Sequence, residues 1–209
     1  MMDLDNTLID RDAAFRIGVA EFLAVHGLPA EDEDWVMSVD ASGYATRSVV
    51  SQAIIDRYDA GLDQDEVIAF LRRGAREHAH VAAETEAALR QTRAAGNQVV
   101  IVTNGAVPQQ TGKITASGLD ELVDGWVVSE GVGSRKPEPG IFHAAAETVG
   151  ASLDGAWMIG DRGDADILGA HLLGLQSVWL HLGRNWTQPD YKPTYIADSV
   201  AEAINHAGG

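Results

Sequence analysis

The chain has 209 residues, 45% hydrophobic and 22% charged, which suits one soluble globular domain or a core domain with a smaller insert. Lys and Arg number 15 against 31 Asp and Glu, a net charge of −16 that argues against a nucleic-acid surface and against binding to an anionic membrane. The lack of cysteine excludes disulfides and thiolate metal sites; with no spanning apolar run and no signal peptide, a cytoplasmic location is expected.

The chain opens on MMDLDNTLID. Side chains two apart on a strand point the same way, so Asp3 and Asp5 share a side. At a strand end this spacing lets two carboxylates converge on one reacting group, one as nucleophile and the other moving protons. From about Asp12 to Val81 the pattern is helical. Ala14, Phe15, Val19, Phe22 and Leu23 make one apolar stripe, ended by Gly27 and Pro29. Val50, Ile54 and Tyr58 make a second, closed by Gly61. Asp63, with Glu66 three residues on, reads as the N-cap of a helix carrying Val67, Phe70 and Leu71. His78 and His80 fall on the same predicted helix at a spacing that puts them on different faces, which favours surface histidines over ligands.

From Glu84 the texture alternates. A helix from Glu84 to Ala95 is capped by Gly96, and the strand Val99–Val102 runs into Thr103, Asn104 and Gly105. A short helix near Thr111–Ser117 leads to the strand Trp126–Val128. Pro139 suits the first turn of the next helix, with Ile141, Phe142 and Ala145 on its apolar face. The strand Ala156–Ile159, a helix around Ile167–Leu173, the strands Ser177–Leu180 and Tyr195–Ala197, and a helix Val200–Asn205 follow. Apolar runs alternating with helices indicate an α/β fold: a Rossmann-like parallel sheet with helices on both faces. The helical stretch is then a small all-helical insert. The predicted division is a core of 1–11 and 83–209 with a helical cap of 12–82.

Ligands of open parallel sheets sit beyond the carboxyl ends of the strands. The polar residues fall there: Asp3 to Thr7, then Thr103-Asn104-Gly105, then Gly160-Asp161 with Asp164 and Asp166 just beyond. Lys136, in Ser134-Arg135-Lys136-Pro137-Glu138-Pro139, adds an ammonium group from a turn. Crowded carboxylates repel unless a hard cation joins them, and oxygen ligands of this kind suit Mg²⁺. Such a site, with a hydroxyl, backbone N–H groups and a lysine, can hold a phosphoryl group and neutralise its charge.

With these residues in view, the chain resembles the haloacid dehalogenase-like (HAD) hydrolases, in the branch with a helical cap between the first two motifs. DLDNT matches the first motif, VVIVTN the second, the lysine of SRKPEPGIF the third and IGDRGDADILGA the fourth. The resemblance implies that Asp3 attacks phosphorus and becomes an aspartyl-phosphate. It implies that Asp5 protonates the leaving oxygen and then activates water. Thr103 and Lys136, with Asn104 and Gly105, would hold the phosphoryl oxygens, and Lys136 would also orient Asp3. Asp161 would bind Mg²⁺ with the Asp3 carboxylate and the Asp5 carbonyl, and Asp166 would hold the ion directly or through one intervening group. Asp164 has no assigned role. The dehalogenases of the family lack a carboxylate two residues after the nucleophile, so Asp5 favours phosphoryl transfer.

The implied activity is hydrolysis of a small phosphorylated metabolite by a monomer or homodimer, with the cap closing over the substrate and selecting it. A phosphomutase using the same intermediate and a non-catalytic binding module are the alternatives. In the cap, Tyr44 could stack on a substrate and Arg47 could pair with a second anionic group, or Arg47 is simply a solvated residue at a helix start. Trp157 and Trp179 read as core, and Trp186 as the site's rim or a dimer contact. The family's first strand carries four or five apolar residues before its aspartate, whereas only Met1 and Met2 precede Asp3. A buried α-ammonium roughly 7–10 Å from the nucleophile would be costly, so the chain is expected to begin upstream of Met1.

Overall fold

Apolar stripes at helical spacing and short apolar runs bounded by glycines sort the chain into two kinds of structure. The computed structural model describes residues 1–58 and 61–208. The chain forms two compact units, Met1–Ile9 with Val81–Gly209, and Asp10–His80.

The second unit holds α1 (Arg11–Val25), α2 (Glu33–Asp40), α3 (Arg47–Tyr58) and α4 (Gln64–Glu77). Asp10 caps α1 by accepting from the Ala13 amide at 2.9 Å, and Asp63 caps α4 by accepting from the Glu66 amide at 3.0 Å. Phe15, Val19, Phe22 and Leu23 of α1 are buried against Val36, Val50, Ile54, Val67 and Leu71. Gly18 and Gly74 let α1 and α4 cross with their backbones nearly touching. A Cβ at position 74 would lie 2.8 Å from the Gly18 Cα.

Asp40 is fully buried and paired with both Arg11 and Arg47. The two guanidinium carbons lie 4.7 and 4.0 Å from the Phe15 ring centroid. Burial pushes the Asp40 carboxyl up, but the two arginines outweigh it and hold it below the usual carboxylate range. The predicted helix over His78 and His80 ends earlier, at Glu77. His78 is its C-cap, with a ring nitrogen 2.9 Å from Glu21 Oε1, and His80 lies beyond it, against the His78 carbonyl.

The first unit continues from Val81 with α5 (Ala83–Ala94), β1 (Val100–Thr103), α6 (Val107–Ala116), β2 (Gly125–Val128), α7 (Ser129–Val132) and α8 (Pro139–Thr148). It ends with β3 (Trp157–Gly160), α9 (Leu168–Leu172), β4 (Gln176–Leu180), β5 (Tyr195–Ala197) and α10 (Val200–Gly208). β1 pairs with β2, and β3 with β4 and β4 with β5, all in parallel. Met1–Asp3 joins the two sets. The Met2 amide donates to Val100 O at 2.9 Å and Met2 O accepts from Val102. On the other side the Asp3 amide donates to Ile159 O at 2.9 Å and Met1 O accepts from Ile159. The order is therefore β2, β1, Met1–Asp3, β3, β4, β5.

Val100, Val102 and Met158 pack with Ile141, Phe142 and Ala145 of α8 and Ala170 of α9. Ile101 and Ile159, one residue out of phase, face the other side and are equally buried. There α10 packs on β3, β4 and α5. Two predicted helices differ in extent. α6 starts four residues earlier than expected, with Pro108 in its first turn. The predicted Ile167–Leu173 helix is preceded by a wide π-type turn over Gly163–Ile167. Among the described residues no helix is long and apolar enough to cross a membrane.

Candidate active site

Asp3 ends the central Met1–Asp3 segment, and the chain then turns sharply. The Leu4 carbonyl accepts from the amides of Thr7 and Ile9, and Asn6 takes a left-handed conformation (φ 57°) that asparagine tolerates. β1 delivers Thr103 and β3 delivers Asp161 at their carboxyl ends, on either side of Asp3. The turn before α8 delivers Lys136, which is 3% exposed.

Lys136 lies among carboxylates. Its Nζ donates to Asp3 Oδ1 at 2.5 Å and lies 2.7 Å from Asp166 Oδ1. Its backbone is gripped by Asn104: Oδ1 accepts from the Lys136 amide at 2.9 Å and Nδ2 donates to the Lys136 carbonyl at 3.0 Å. The Asn104 side chain thus holds the lysine turn, a role not anticipated from sequence. Burial pulls the Lys136 ammonium down, but Asp166 and Asp3 outweigh it and raise it above the ordinary lysine value.

The carboxylates of Asp3, Asp161 and Asp166 are all buried and offer oxygens within 4.8 Å of one another. Asp166 Oδ2 accepts from the Arg162 amide at 3.0 Å, whereas Oδ1 has no aligned hydrogen bond despite its nearness to Lys136. Gly160 makes room for this carboxylate, which occupies the space where a Cβ would stand. Burial pushes Asp3 up to about 7, with the charges of Asp166 and Asp5 adding to it against the pull of Lys136. Burial pushes Asp161 up to about 8, with Asp3 and Asp166 adding to it against Arg184. Such carboxylates ionise fully once a cation joins them. This oxygen-only donor set can hold a hard divalent cation.

Several neighbours of the site were not anticipated. Arg184, from the loop after β4, donates to Asp161 Oδ2 at 3.0 Å and to the Asp161 carbonyl at 2.8 Å. Trp179, expected as plain core, donates its indole N–H to the same carbonyl at 2.9 Å. Trp186 packs edge-on against Trp179 and stands over Gly163. Asp5 is held by α6. Lys113 Nζ lies 2.6 and 2.7 Å from its two oxygens, and Gln110 Nε2 donates to Asp5 Oδ2 at 2.9 Å and to Thr103 Oγ1 at 2.6 Å. Gln110 and Lys113, three apart on a helix, share a face. A polar pair on the inward face of the helix after Thr103-Asn104-Gly105 was the available signal, lost because the helix was expected to start at Thr111.

Gly105 follows Asn104, and its amide donates to Ser129 Oγ at 3.0 Å. Asp164 pairs with Arg162 at 2.7 Å. Arg47 belongs to the helical unit, where its partners are Asp40 and the Phe15 ring.

A HAD-hydrolase-like family model matches residues 133–203. A phosphoserine phosphatase of Thermus thermophilus is 32% identical over 121 residues, 58% of this chain and 49% of the relative. A phosphoglycolate phosphatase of Colwellia psychrerythraea is 26% identical over 98% of this chain and 94% of its own. Apart from that phosphatase, the chain spans about half the length of the curated relatives it matches, or less. Among solved structures, the HAD-hydrolase YfnB from Bacillus subtilis bound to magnesium superposes with a TM-score of 0.81 at 23% identity, covering 99% of this chain and 96% of that one. Four motifs in order, a parallel sheet with the first motif at its centre and these likenesses converge: the chain is similar to the HAD hydrolases in sequence over its C-terminal third and shares the fold of YfnB over nearly its whole length.

Proposed function

We propose that the protein is a Mg²⁺-dependent phosphatase that hydrolyses a small phosphorylated metabolite through an aspartyl-phosphate on Asp3. The observation that carries this reading is the buried Asp3–Lys136–Asp166 contact beside Asp161, at the carboxyl ends of parallel strands. The phosphatase names of two relatives support the same class of substrate.

An Asp3 oxygen attacks phosphorus as the bond to the leaving oxygen breaks, and that oxygen takes a proton from Asp5. Water then attacks the phosphorus and gives its proton to Asp5, inorganic phosphate departs and the Asp3 carboxylate is restored. Lys136 keeps Asp3 oriented and offsets the dianion's charge, and the Thr103 hydroxyl holds a phosphoryl oxygen. Asp3, Asp161 and Asp166, with the Asp5 carbonyl, would hold Mg²⁺, which when bound supplies further charge neutralisation for the phosphoryl group. Asp5, a carboxylate two residues after Asp3, supports chemistry at phosphorus over cleavage of a carbon–halogen bond. The phosphomutase alternative leaned on Arg47, which pairs with Asp40 in the helical unit.

The test is phosphate release from p-nitrophenyl phosphate and a panel of metabolite phosphates, with Mg²⁺ and with EDTA, for the wild type and Asp3→Asn. Release that needs metal and vanishes in folded Asp3→Asn is the expected result. No release from the folded wild type anywhere on the panel overturns the reading.

A further inference from the structure

Asp5 is the group on which both proton transfers depend, and its carboxylate does not stand alone. Both oxygens face Lys113 Nζ, and Oδ2 also accepts from the Gln110 amide, whose same nitrogen donates to Thr103 Oγ1. Lys113 is 5% exposed, Gln110 2% and Thr103 1%, so these three are packed into the protein, while the Asp5 side chain keeps 28% of its surface open. A carboxylate gripped in this way by two buried side chains is held in one rotamer.

We infer that Lys113 and Gln110 are the positioning residues of the acid–base step: together they fix the Asp5 carboxylate and tie its orientation to the Thr103 hydroxyl. This rests on the phosphatase reading and extends it to α6, which carries none of the family motifs quoted above. The physical argument is one of geometry. A lysine and a glutamine buried on a helix face lose rotamer freedom and hydration, a cost offset here by three short contacts to one carboxylate. Proton transfer tolerates little misplacement, and groups that hold the reacting side chain are worth a large part of its effect. The shared Gln110 nitrogen means that Asp5 and Thr103 cannot shift independently.

The experiment uses the full chain with Mg²⁺ and a series of aryl phosphates whose leaving phenols differ in acidity, from p-nitrophenyl to phenyl to p-methoxyphenyl. A good acid leaves as its anion, whereas a poor one needs the proton from Asp5. Lys113→Met is expected to lower kcat/KM for phenyl phosphate by about 10- to 100-fold, and for p-nitrophenyl phosphate by much less. The dependence of kcat/KM on leaving-group acidity therefore steepens. Lys113→Arg recovers part of the loss, and Mg²⁺ affinity read by calorimetry stays at the wild-type value. In an Asp5→Asn background, Lys113→Met adds no further loss beyond about 2- to 3-fold.

An equal loss across the whole series, or the same loss in the Asp5→Asn background, overturns the inference, because either result means that Lys113 acts on the scaffold rather than through Asp5. Should Lys113→Met fail to fold, Gln110→Leu and Lys113→Arg are judged by the same slope and the same background. A folded wild type inert on every aryl phosphate and on the whole metabolite panel defeats the phosphatase reading itself. An active wild type with unaltered slopes in the variants defeats only the role of α6.

Discussion

Gly160→Ala adds one methyl group at the end of β3 and tests whether Asp166 belongs to the metal site. The new Cβ would lie 2.7 Å from the Asp166 Cβ and nearer still to its carboxylate, where ordinary contact starts at 3.4 Å. The side chain must therefore retreat by about 1 Å or more, taking its Oδ2 from the Arg162 amide and its Oδ1 from Lys136. Overpacking of this kind costs about 1–3 kcal/mol, a fall in Tm of roughly 3–10 °C for a chain of this size. A displaced ligand is expected to weaken Mg²⁺ binding by about 10- to 100-fold. Calorimetric titration of Mg²⁺ and a thermal melt read the two effects separately. Gly155→Ala is the control. That residue has φ 72° and no atom within 4 Å of an added Cβ, so the change brings only backbone strain of about 1 kcal/mol and leaves Mg²⁺ binding alone. A Gly160→Ala protein that binds Mg²⁺ and melts like the wild type refutes the reasoning, as does a Gly155→Ala protein that loses as much affinity.

Asp40→Ala removes the buried carboxylate shared by buried Arg11, which keeps Asp12, and half-buried Arg47, and should cost about 3–5 kcal/mol in urea unfolding; a loss under about 1 kcal/mol would contradict the ion-pair account. Because the arginines hold Asp40 below the usual carboxylate range, its contribution is complete above the unfolded value near 4 and is lost as the pH falls through the lower folded value. The stability gap between the wild type and Asp40→Asn should accordingly be flat above about pH 5 and narrow on acidification; a gap that widens there has the wrong sign. Gly74→Ala puts a methyl 2.8 Å from the Gly18 Cα, so α1 and α4 must part. About 1–3 kcal/mol should be lost, and unchanged unfolding would show that the helices do not cross so closely.

Where a local signal and a tertiary need coincide, the structure could be read from sequence. Asp63 accepts from the Glu66 amide as its spacing required, Gly96 has φ 91° just past α5, and Pro139 opens α8. The strands were legible because a sheet covered on both faces has no polar side to show. The motifs named Asp3, Asp161, Asp166 and Lys136, which lie together, because strand ends in a parallel sheet converge by topology. Lys113, Gln110 and Arg184 escaped for the complementary reason. A helical period tells which face is inward but not what lies opposite it, and the Lys113–Asp5 contact spans 108 residues. Asn104 was assigned to the phosphate because a side chain after a strand end can turn to ligand or to scaffold, and sequence spacing does not separate the two.

The arrangement of Met1–Asp3 has a consequence for the order in which the protein is made. Met2 pairs with Ile101 and Ile159, so the segment that carries Asp3 is made before both of its partners and meets the second only after more than 150 further residues. Asp10–His80, in contrast, is a continuous stretch whose contacts can close while the rest is still being translated. Until β3 appears, the Asp3 amide has no Ile159 carbonyl to donate to, and Asp3 has no Asp161 beside it. The sheet and the cluster of buried carboxylates are thus completed by the same late event, and a chain stalled before that point carries a folded helical unit without that cluster.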